Sequence, residues 1–322
     1  MATDYPISII IPLWNGERFI GNCLDSLFQT IPANAEVIVV DNGSNDNGIA
    51  HVEEYPAVHL IRNTINMGFS AAINQGLAKA RGDCLFLLNQ DTVAHKGWFE
   101  AVQARFAHES QLGIVGCRLL YPDGTLQHAG GRLLEPTWMT EHAPEDFAGR
   151  LDFVTGAAFA IRRRCYNDVG LFDTGFYPAY YEDVDYCLRA RLKGWDLACE
   201  LEAVLTHYES QSRGDDFNIW LMHGVQRLRL VLKHRALDWL QNVFFEGEYE
   251  LLERSWPPDW HLAMAAVYLR SAQQLQLISL ARQNVYGVDD HSTILNDLHR
   301  QLLLLRQRAL AQWRASEDHA HG

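Results

Sequence analysis

Several acidic positions in this chain sit where a carboxylate can do chemistry. Asp41 ends the apolar run Val37-Ile38-Val39-Val40 and precedes Asn42-Gly43-Ser44. From there it can accept from the N–H of a pyrimidine base or from ribose hydroxyls; an Asx-turn is the alternative reading. Asp91 closes the run Cys84-Leu85-Phe86-Leu87-Leu88-Asn89-Gln90 and offers hard oxygen to Mg²⁺ or Mn²⁺, which would neutralise a diphosphate. Its alternative role is to cap a helix expected in the segment starting at His95. Glu182-Asp183-Val184-Asp185 forms an acidic cluster at the mouth of an expected helix. Complementing the helix dipole there is worth ~0.3–1 kcal/mol. A carboxylate in the same place, beside a bound donor, can instead take the proton of an attacking hydroxyl.

The elements that must carry these residues alternate. Strands are expected at Ile7–Pro12, Glu36–Val40, Val58–Ile61 and Cys84–Leu88, with helices at Gly16–Gln29 and Ser70–Ala80. Near-continuous apolar strands separated by helices predict a parallel, doubly wound sheet with right-handed crossovers. Ligands bind beyond the carboxyl ends of such strands. Trp14-Asn15-Gly16, Asp41-Asn42-Gly43-Ser44 and Asn89-Gln90-Asp91 all fall at those ends, so one nucleotide-sized site can use all three. From Gly113 to Arg213 the pattern is mixed, with a Tyr-Pro-Asp-Gly turn at 121 to 124 and a loop to about Leu151. Beyond Gly214, helices are expected at 217–245, 259–285 and 292–314. These patterns divide the chain into a catalytic domain over 1–214, with halves 1–112 and 113–214, and a helical extension over 215–322.

Composition narrows the function classes. At 322 residues, 48% hydrophobic and 21% charged, the chain is long and apolar enough for a sizeable core. Its net charge of −13 opposes attraction to a phosphate backbone and argues against general nucleic-acid binding. The six cysteines lack the spacing of a zinc site and read as buried thiols of a reducing, cytoplasmic compartment. The first residues read as a strand rather than a leader, and no run of ~18 apolar residues suggests a spanning helix.

The ordered set Ile11-Pro12-Leu13-Trp14-Asn15-Gly16, Val39-Val40-Asp41-Asn42-Gly43-Ser44, Asn63 to Asn74, Leu87-Leu88-Asn89-Gln90-Asp91-Thr92, Thr155-Gly156-Ala157-Ala158 and Tyr181 to Arg189 resembles family 2 glycosyltransferases of the GT-A fold, in particular their rhamnosyltransferase-like branch. The resemblance runs from about Ile7 to Arg213. It implies an α/β fold with a Rossmann-like, mostly parallel sheet and an inverting, metal-assisted transfer. The sugar would pass from a nucleoside diphosphate donor of the dTDP or UDP type to a hydroxyl of a bacterial surface glycan or lipid-linked acceptor, with dTDP-rhamnose the leading donor. It further implies that Asp41 holds the base, Leu13 and Trp14 wall the base site, and Asn66 and Gly68 line the nucleotide pocket. Asn89-Gln90-Asp91 occupies the D-x-D position, Asp91 being the metal ligand and Asn89 a departure that weakens the expected Mn²⁺ or Mg²⁺ affinity. His207 matches a second metal ligand, with a hydrogen-bonded histidine as its alternative. Asp183 takes the part of the base, its pKa raised by Glu182 and the surrounding acids, while Asp185 bonds backbone or Arg189. Gly156 and Glu182 lie toward the acceptor or donor sugar, and Gly156 lets the backbone approach it.

In the C-terminal third, Arg227, Arg229, Lys233 and Arg235 accompany an apolar stripe of Leu221, Val225, Leu228 and Leu232. A helix packed on the catalytic domain is one reading, and peripheral contact with anionic lipid headgroups at the inner membrane face is the other. Leu295, Leu298, Leu302 and Leu305 suit a helical hairpin or a homodimer contact. Two other functions stay open: a sugar nucleotidyltransferase, which needs a Gly-rich, Arg-bearing loop that Trp14-Asn15-Gly16-Glu17 does not supply, and a lapsed transferase acting as a binding module, motivated by Asn89.

Overall fold

The computed structural model describes residues 6–208, 216–288 and 292–320. They group into two compact units. One holds the described residues up to Arg132 together with Glu141 to Tyr208; the other holds Leu133–Thr140 and the described residues from Asp216 onward.

Among the described residues the first unit is built on a nine-stranded sheet. Its parallel half joins β1 (Ile7–Leu13), β2 (Glu36–Asn42), β3 (Val58–Asn63) and β4 (Cys84–Leu88) in the order β3-β2-β1-β4. α1 (Ile20–Thr30), α2 (Gly48–Glu53) and α3 (Phe69–Lys79) connect them. Side chains alternate along β1, so Ile7, Ile9, Ile11 and Leu13 enter one core cluster with Phe86, Trp98 and Val102. The Trp98 indole meets Phe86 edge-on at 4.7 Å.

The sheet's second half is mixed. β5 (Thr92–Ala94) and α4 (Trp98–His108) lead to the long β6 (Leu112–Leu120), and β7 (Leu126–His128) folds back on it antiparallel. β8 (Gly131–Leu134) and β9 (Met139–His142) form a separate pair. β10 (Ala158–Arg162) inserts antiparallel between β4 and β6, followed by α5 (Arg163–Val169), α6 (Glu182–Leu192) and β11 (Asp196–His207), which runs parallel to β6. The antiparallel insertion follows the parallel half read from the first strands and is compatible with the mostly parallel sheet expected. Its effect is to bring the segment before β10 beside the end of β4: the Asn89 N–H donates to the Ala157 carbonyl at 3.0 Å. The loop expected up to Leu151 contains β7, β8 and β9.

The second unit is helical. α7 (Asp216–His234) is followed by α8 (Leu237–Trp239), a π turn over Leu240–Phe244, α9 (Phe245–Leu252), α10 (Pro258–Tyr286) and α11 (Ser292–Ala320). Helix was expected without interruption over 217–245, but it breaks after His234. α10 and α11 pack together, burying Leu298, Leu302 and Leu305, as the hairpin reading requires.

The basic positions of α7 correct the lipid-contact reading. Arg227, Arg229 and Lys233 are buried. The Arg227 guanidinium grips the Glu248 carboxylate with two bonds of 2.6 and 2.8 Å, and Tyr268 donates to the same carboxylate at 2.9 Å. Arg235 pairs with Glu135 and lies over the Trp138 and Trp239 rings at 4.5 and 4.2 Å. Guanidinium groups engaged in this way present no charged face to a headgroup. Among the described residues no helix is long and apolar enough to cross a membrane.

Candidate active site

Three loops converge beyond the carboxyl ends of β1, β2 and β4. The first and third are clamped by Gln90, whose Oε1 accepts the Trp14 N–H at 2.8 Å and whose Nε2 donates to the Trp14 carbonyl at 3.1 Å. The first and second are joined by the Asn15 N–H donating to Ser44 Oγ at 3.0 Å and by the Asn45 N–H donating to Asn15 Oδ1 at 2.8 Å. The Trp14 side chain is exposed beside this clamp.

Asp41 is buried and accepts the Ser44 N–H at 3.2 Å, three residues on and so one residue beyond the span of an Asx-turn. Leu13 needs correcting as a wall of the base site, because its side chain is wholly buried. It continues the inward phase of Ile9 and Ile11 into the core. Asn42, not singled out in the sequence, holds the next loop. Its Nδ2 donates to Asn66 Oδ1 at 3.0 Å and to the Gly68 carbonyl at 3.2 Å, and its Oδ1 accepts the Met67 N–H at 2.9 Å. Asn66 also accepts the Gly68 N–H, at 2.8 Å. Gly68 has φ +85°, which only glycine adopts readily, and a Cβ there would lie 2.8 Å from the Tyr177 ring.

Asp91 does not cap α4, which starts seven residues on at Trp98 behind Gly97. Instead its Oδ1 lies 3.2 Å from His207 Nε2, at the end of β11. His207 Nδ1 lies 2.8 Å from Gln127 Oε1, and Gln127 Nε2 donates to the His207 carbonyl at 3.5 Å. That pairing sets the Gln127 amide with its oxygen toward the ring, so His207 Nδ1 carries the hydrogen and Nε2 is the lone pair. Asn89 Nδ2, 3.4 Å from Nε2, fits the same tautomer. Asp91 Oδ1 is buried and has no hydrogen-bond donor. Two acceptors therefore face each other at 3.2 Å, an arrangement that a cation between them would satisfy. Among the described residues no group of three His, Cys, Asp or Glu assembles, so this pair supplies at most part of a coordination shell.

Tyr180 and Tyr181 hold φ of +81° and +67° immediately before α6. Left-handed backbone at two such residues costs roughly 1–3 kcal/mol each and is characteristic of sites where geometry serves function. The turn sets Asp183 in the first turn of α6, where its Oδ2 accepts the Gly156 N–H and its Oδ1 the Val184 N–H, both at 2.8 Å. Burial raises the Asp183 pKa despite these bonds. Burial, and then the Asp183 charge, push Glu182 well above the ordinary carboxylate range, and its Oε2 has no hydrogen-bond partner. Asp185 is fully buried against Arg189 Nε at 2.8 Å, the structural role open to it from the sequence. A Cβ on Gly156 would meet Asp183 Cβ at 3.5 Å, an ordinary contact, so the residue's observed contribution is its N–H.

Two histidines escaped the sequence reading. His128 Nε2 accepts the Thr155 N–H at 3.1 Å, and burial lowers its pKa to about 3, which keeps the ring neutral. His142 Nδ1 donates to the Gln127 carbonyl at 2.6 Å and packs edge-on against His128 at 4.9 Å. Both lie in the stretch read as loop, where no metal-ligand or catalytic spacing marks them.

A wholly parallel half-sheet with polar loops beyond its strand ends, an antiparallel return and a carboxylate at the head of α6 are features of the GT-A fold. The profile of the family described as Glycosyl transferase family 2 matches residues 8–170, and the chain belongs to that family. It is 31% identical over 243 residues to the O-antigen biosynthesis protein RfbC of Myxococcus xanthus, covering 69% of this chain and 19% of that protein. To an N-acetylglucosaminyl-diphospho-decaprenol L-rhamnosyltransferase of Mycobacterium tuberculosis it is 25% identical over 231 residues, covering 62% of this chain and 74% of the relative. The chain spans 19%, 25% and 33% of the length of three of its curated relatives. Among solved structures, a Pyrobaculum calidifontis mannosyltransferase in complex with GDP-Man and Mn²⁺ superposes with a TM-score of 0.52 at 17% identity, over 95% of this chain and 85% of that one. GalNAc-T7 with UDP, GalNAc and Mn²⁺ gives a TM-score of 0.63 at 15% identity, over 91% of this chain and 56% of that one. At these identities the likeness establishes the fold. Family membership sets aside the nucleotidyltransferase reading.

Proposed function

We propose that this chain catalyses an inverting transfer of a sugar from a nucleoside diphosphate donor to a hydroxyl of a bacterial surface glycan or lipid-linked oligosaccharide. The rhamnosyltransferase among its relatives makes dTDP-rhamnose the first donor to test. The observation that carries the reading is the pair of Asp91 Oδ1 and His207 Nε2, two acceptors 3.2 Å apart on a segment bonded to the one that orients Asp183.

In this reading Asp41 and Trp14 take the base and ribose, and Asn66 and Gly68 shape the nucleotide pocket from beneath. Asn89 and Gln90 set the loop that carries Asp91, which with His207 would hold Mn²⁺ or Mg²⁺. The ion, when bound, supplies positive charge against the donor diphosphate. Asp183 accepts the proton of the acceptor hydroxyl as its oxygen bonds to the anomeric carbon. The bond from that carbon to the phosphate oxygen breaks on the opposite face, and the nucleoside diphosphate leaves with the electron pair. A single displacement of this kind inverts the anomeric centre. The raised pKa of Asp183 makes it a stronger base than a solvated aspartate, and the Gly156 and Val184 N–H groups fix its orientation. Glu182 beside it, whose pKa burial raises, would donate to a sugar hydroxyl when it carries its proton.

The test is release of nucleoside diphosphate from a panel of dTDP-, UDP- and GDP-sugars with candidate acceptors and Mn²⁺. Acceptor-dependent release with one donor, lost in Asp183→Asn, supports the reading. Release that survives Asp183→Asn removes Asp183 as the base.

A further inference from the structure

We infer that Gln127 is a positioning residue that holds His207 in its Nδ1–H tautomer and so turns the Nε2 lone pair toward Asp91. The inference rests on the reading of Asp91 and His207 as the metal-facing pair. Gln127 sits at the centre of β7 and is buried. It is the residue through which two others are held, His207 and His142. Its side chain meets His207 twice, Oε1 against Nδ1 at 2.8 Å and Nε2 against the carbonyl at 3.5 Å. Its own carbonyl accepts from His142 Nδ1 at 2.6 Å.

The physical argument turns on the ring's two nitrogens. A neutral imidazole has one donor and one acceptor, and the group bonded to one nitrogen decides the chemistry of the other. Were the hydrogen on Nε2, His207 would donate to the buried Asp91 Oδ1 at 3.2 Å and the pair would be closed to a cation. With Oε1 facing Nδ1, that arrangement would set two acceptors against each other at 2.8 Å. Turning the amide over would set its oxygen toward the His207 carbonyl, two acceptors face to face. Metal-binding histidines are held in this way, by an acceptor on the second nitrogen, and losing that acceptor typically costs 10–100-fold in metal affinity.

The experiment has two readouts. In metal-free protein with ¹⁵N-labelled histidine, long-range ¹H–¹⁵N correlation identifies the tautomer of His207, assigned by the signals lost in His207→Gln. The expected result is Nδ1–H in the unaltered chain and its loss in Gln127→Leu; an Nε2–H tautomer in the unaltered chain overturns the inference without any variant. Titration of Mn²⁺ alone, followed by electron paramagnetic resonance of the free ion, should show Gln127→Leu weakened by about 10–100-fold and Gln127→Glu, which keeps the acceptor, much less affected. Equal affinity in Gln127→Leu and the unaltered chain overturns the inference. If Asp91→Asn and His207→Gln bind Mn²⁺ as the unaltered chain does, the metal-site reading fails, and the tautomer measurement still decides whether Gln127 sets the ring.

Discussion

The Gly156 N–H donates to Asp183 Oδ2 at 2.8 Å, and the next residue, Ala157, accepts the Asn89 N–H through its carbonyl at 3.0 Å. One short segment before β10 is thus bonded on one side to the carboxylate at the head of α6 and on the other to the loop carrying Asp91. The two ends of the proposed displacement are coupled through three peptide units.

Asp183→Asn preserves the shape of the carboxyl group and removes its basicity. Turnover should fall by about 10²–10⁴-fold while nucleotide binding is unchanged. Steady-state kinetics and calorimetry on the same preparation check both halves. A parallel loss of nucleotide binding would place Asp183 in the donor site instead.

Two glycines near the site should respond differently to alanine. Gly68 combines φ +85° with a neighbour 2.8 Å from its added Cβ, so Gly68→Ala should cost about 1–3 kcal/mol. Gly156 has room, its nearest neighbours at 3.5 and 3.6 Å, so Gly156→Ala should unfold close to the unaltered protein. Denaturant melts of the two variants give the comparison.

Glu182 gives stability a definite pH dependence. Its folded pKa is raised by burial, so its contribution is complete below the ordinary carboxylate pKa and is lost as pH rises through the folded value. Gln mimics the protonated acid at every pH. Glu182→Gln should therefore melt near the unaltered protein at about pH 4 and above it at about pH 8. An unaltered protein that melts higher than the variant at the alkaline end contradicts this account of Glu182.

The buried pair of Arg227 and Glu248 should be costly to break from one side only. Arg227→Met leaves the Glu248 carboxylate without its cation and should destabilise by about 3–5 kcal/mol. Replacing Glu248 by Leu in the same chain should recover much of that loss. Thermal melts of the single and double variants are the check.

How much of this was legible in the sequence follows from the range of each interaction. β1, β2 and β4 are apolar on both faces, and such runs read directly as central strands. Their polar termini pointed to Asp41 and Asp91 as candidates, and the acidic cluster that opens α6 pointed to Asp183. β5 and β7 are three residues each, too short for a periodic signal, and β7 carries Gln127 and His128. Arg227 and Arg235 illustrate the same limit: a packed helix and a lipid-facing one both suited them, because Glu248 and Glu135 are not adjacent in sequence. Leu13 was misread although its phase was available, since counting by twos from Ile9 points it inward.

The measurement that bears most directly on the central claim is calorimetric titration of UDP, dTDP and GDP into the protein, each with and without Mn²⁺, repeated on Asp91→Asn. The account predicts that one nucleotide binds, that Mn²⁺ strengthens it, and that the strengthening disappears in Asp91→Asn. Failure of all three nucleotides under both conditions, or an equal Mn²⁺ effect in Asp91→Asn, would contradict it.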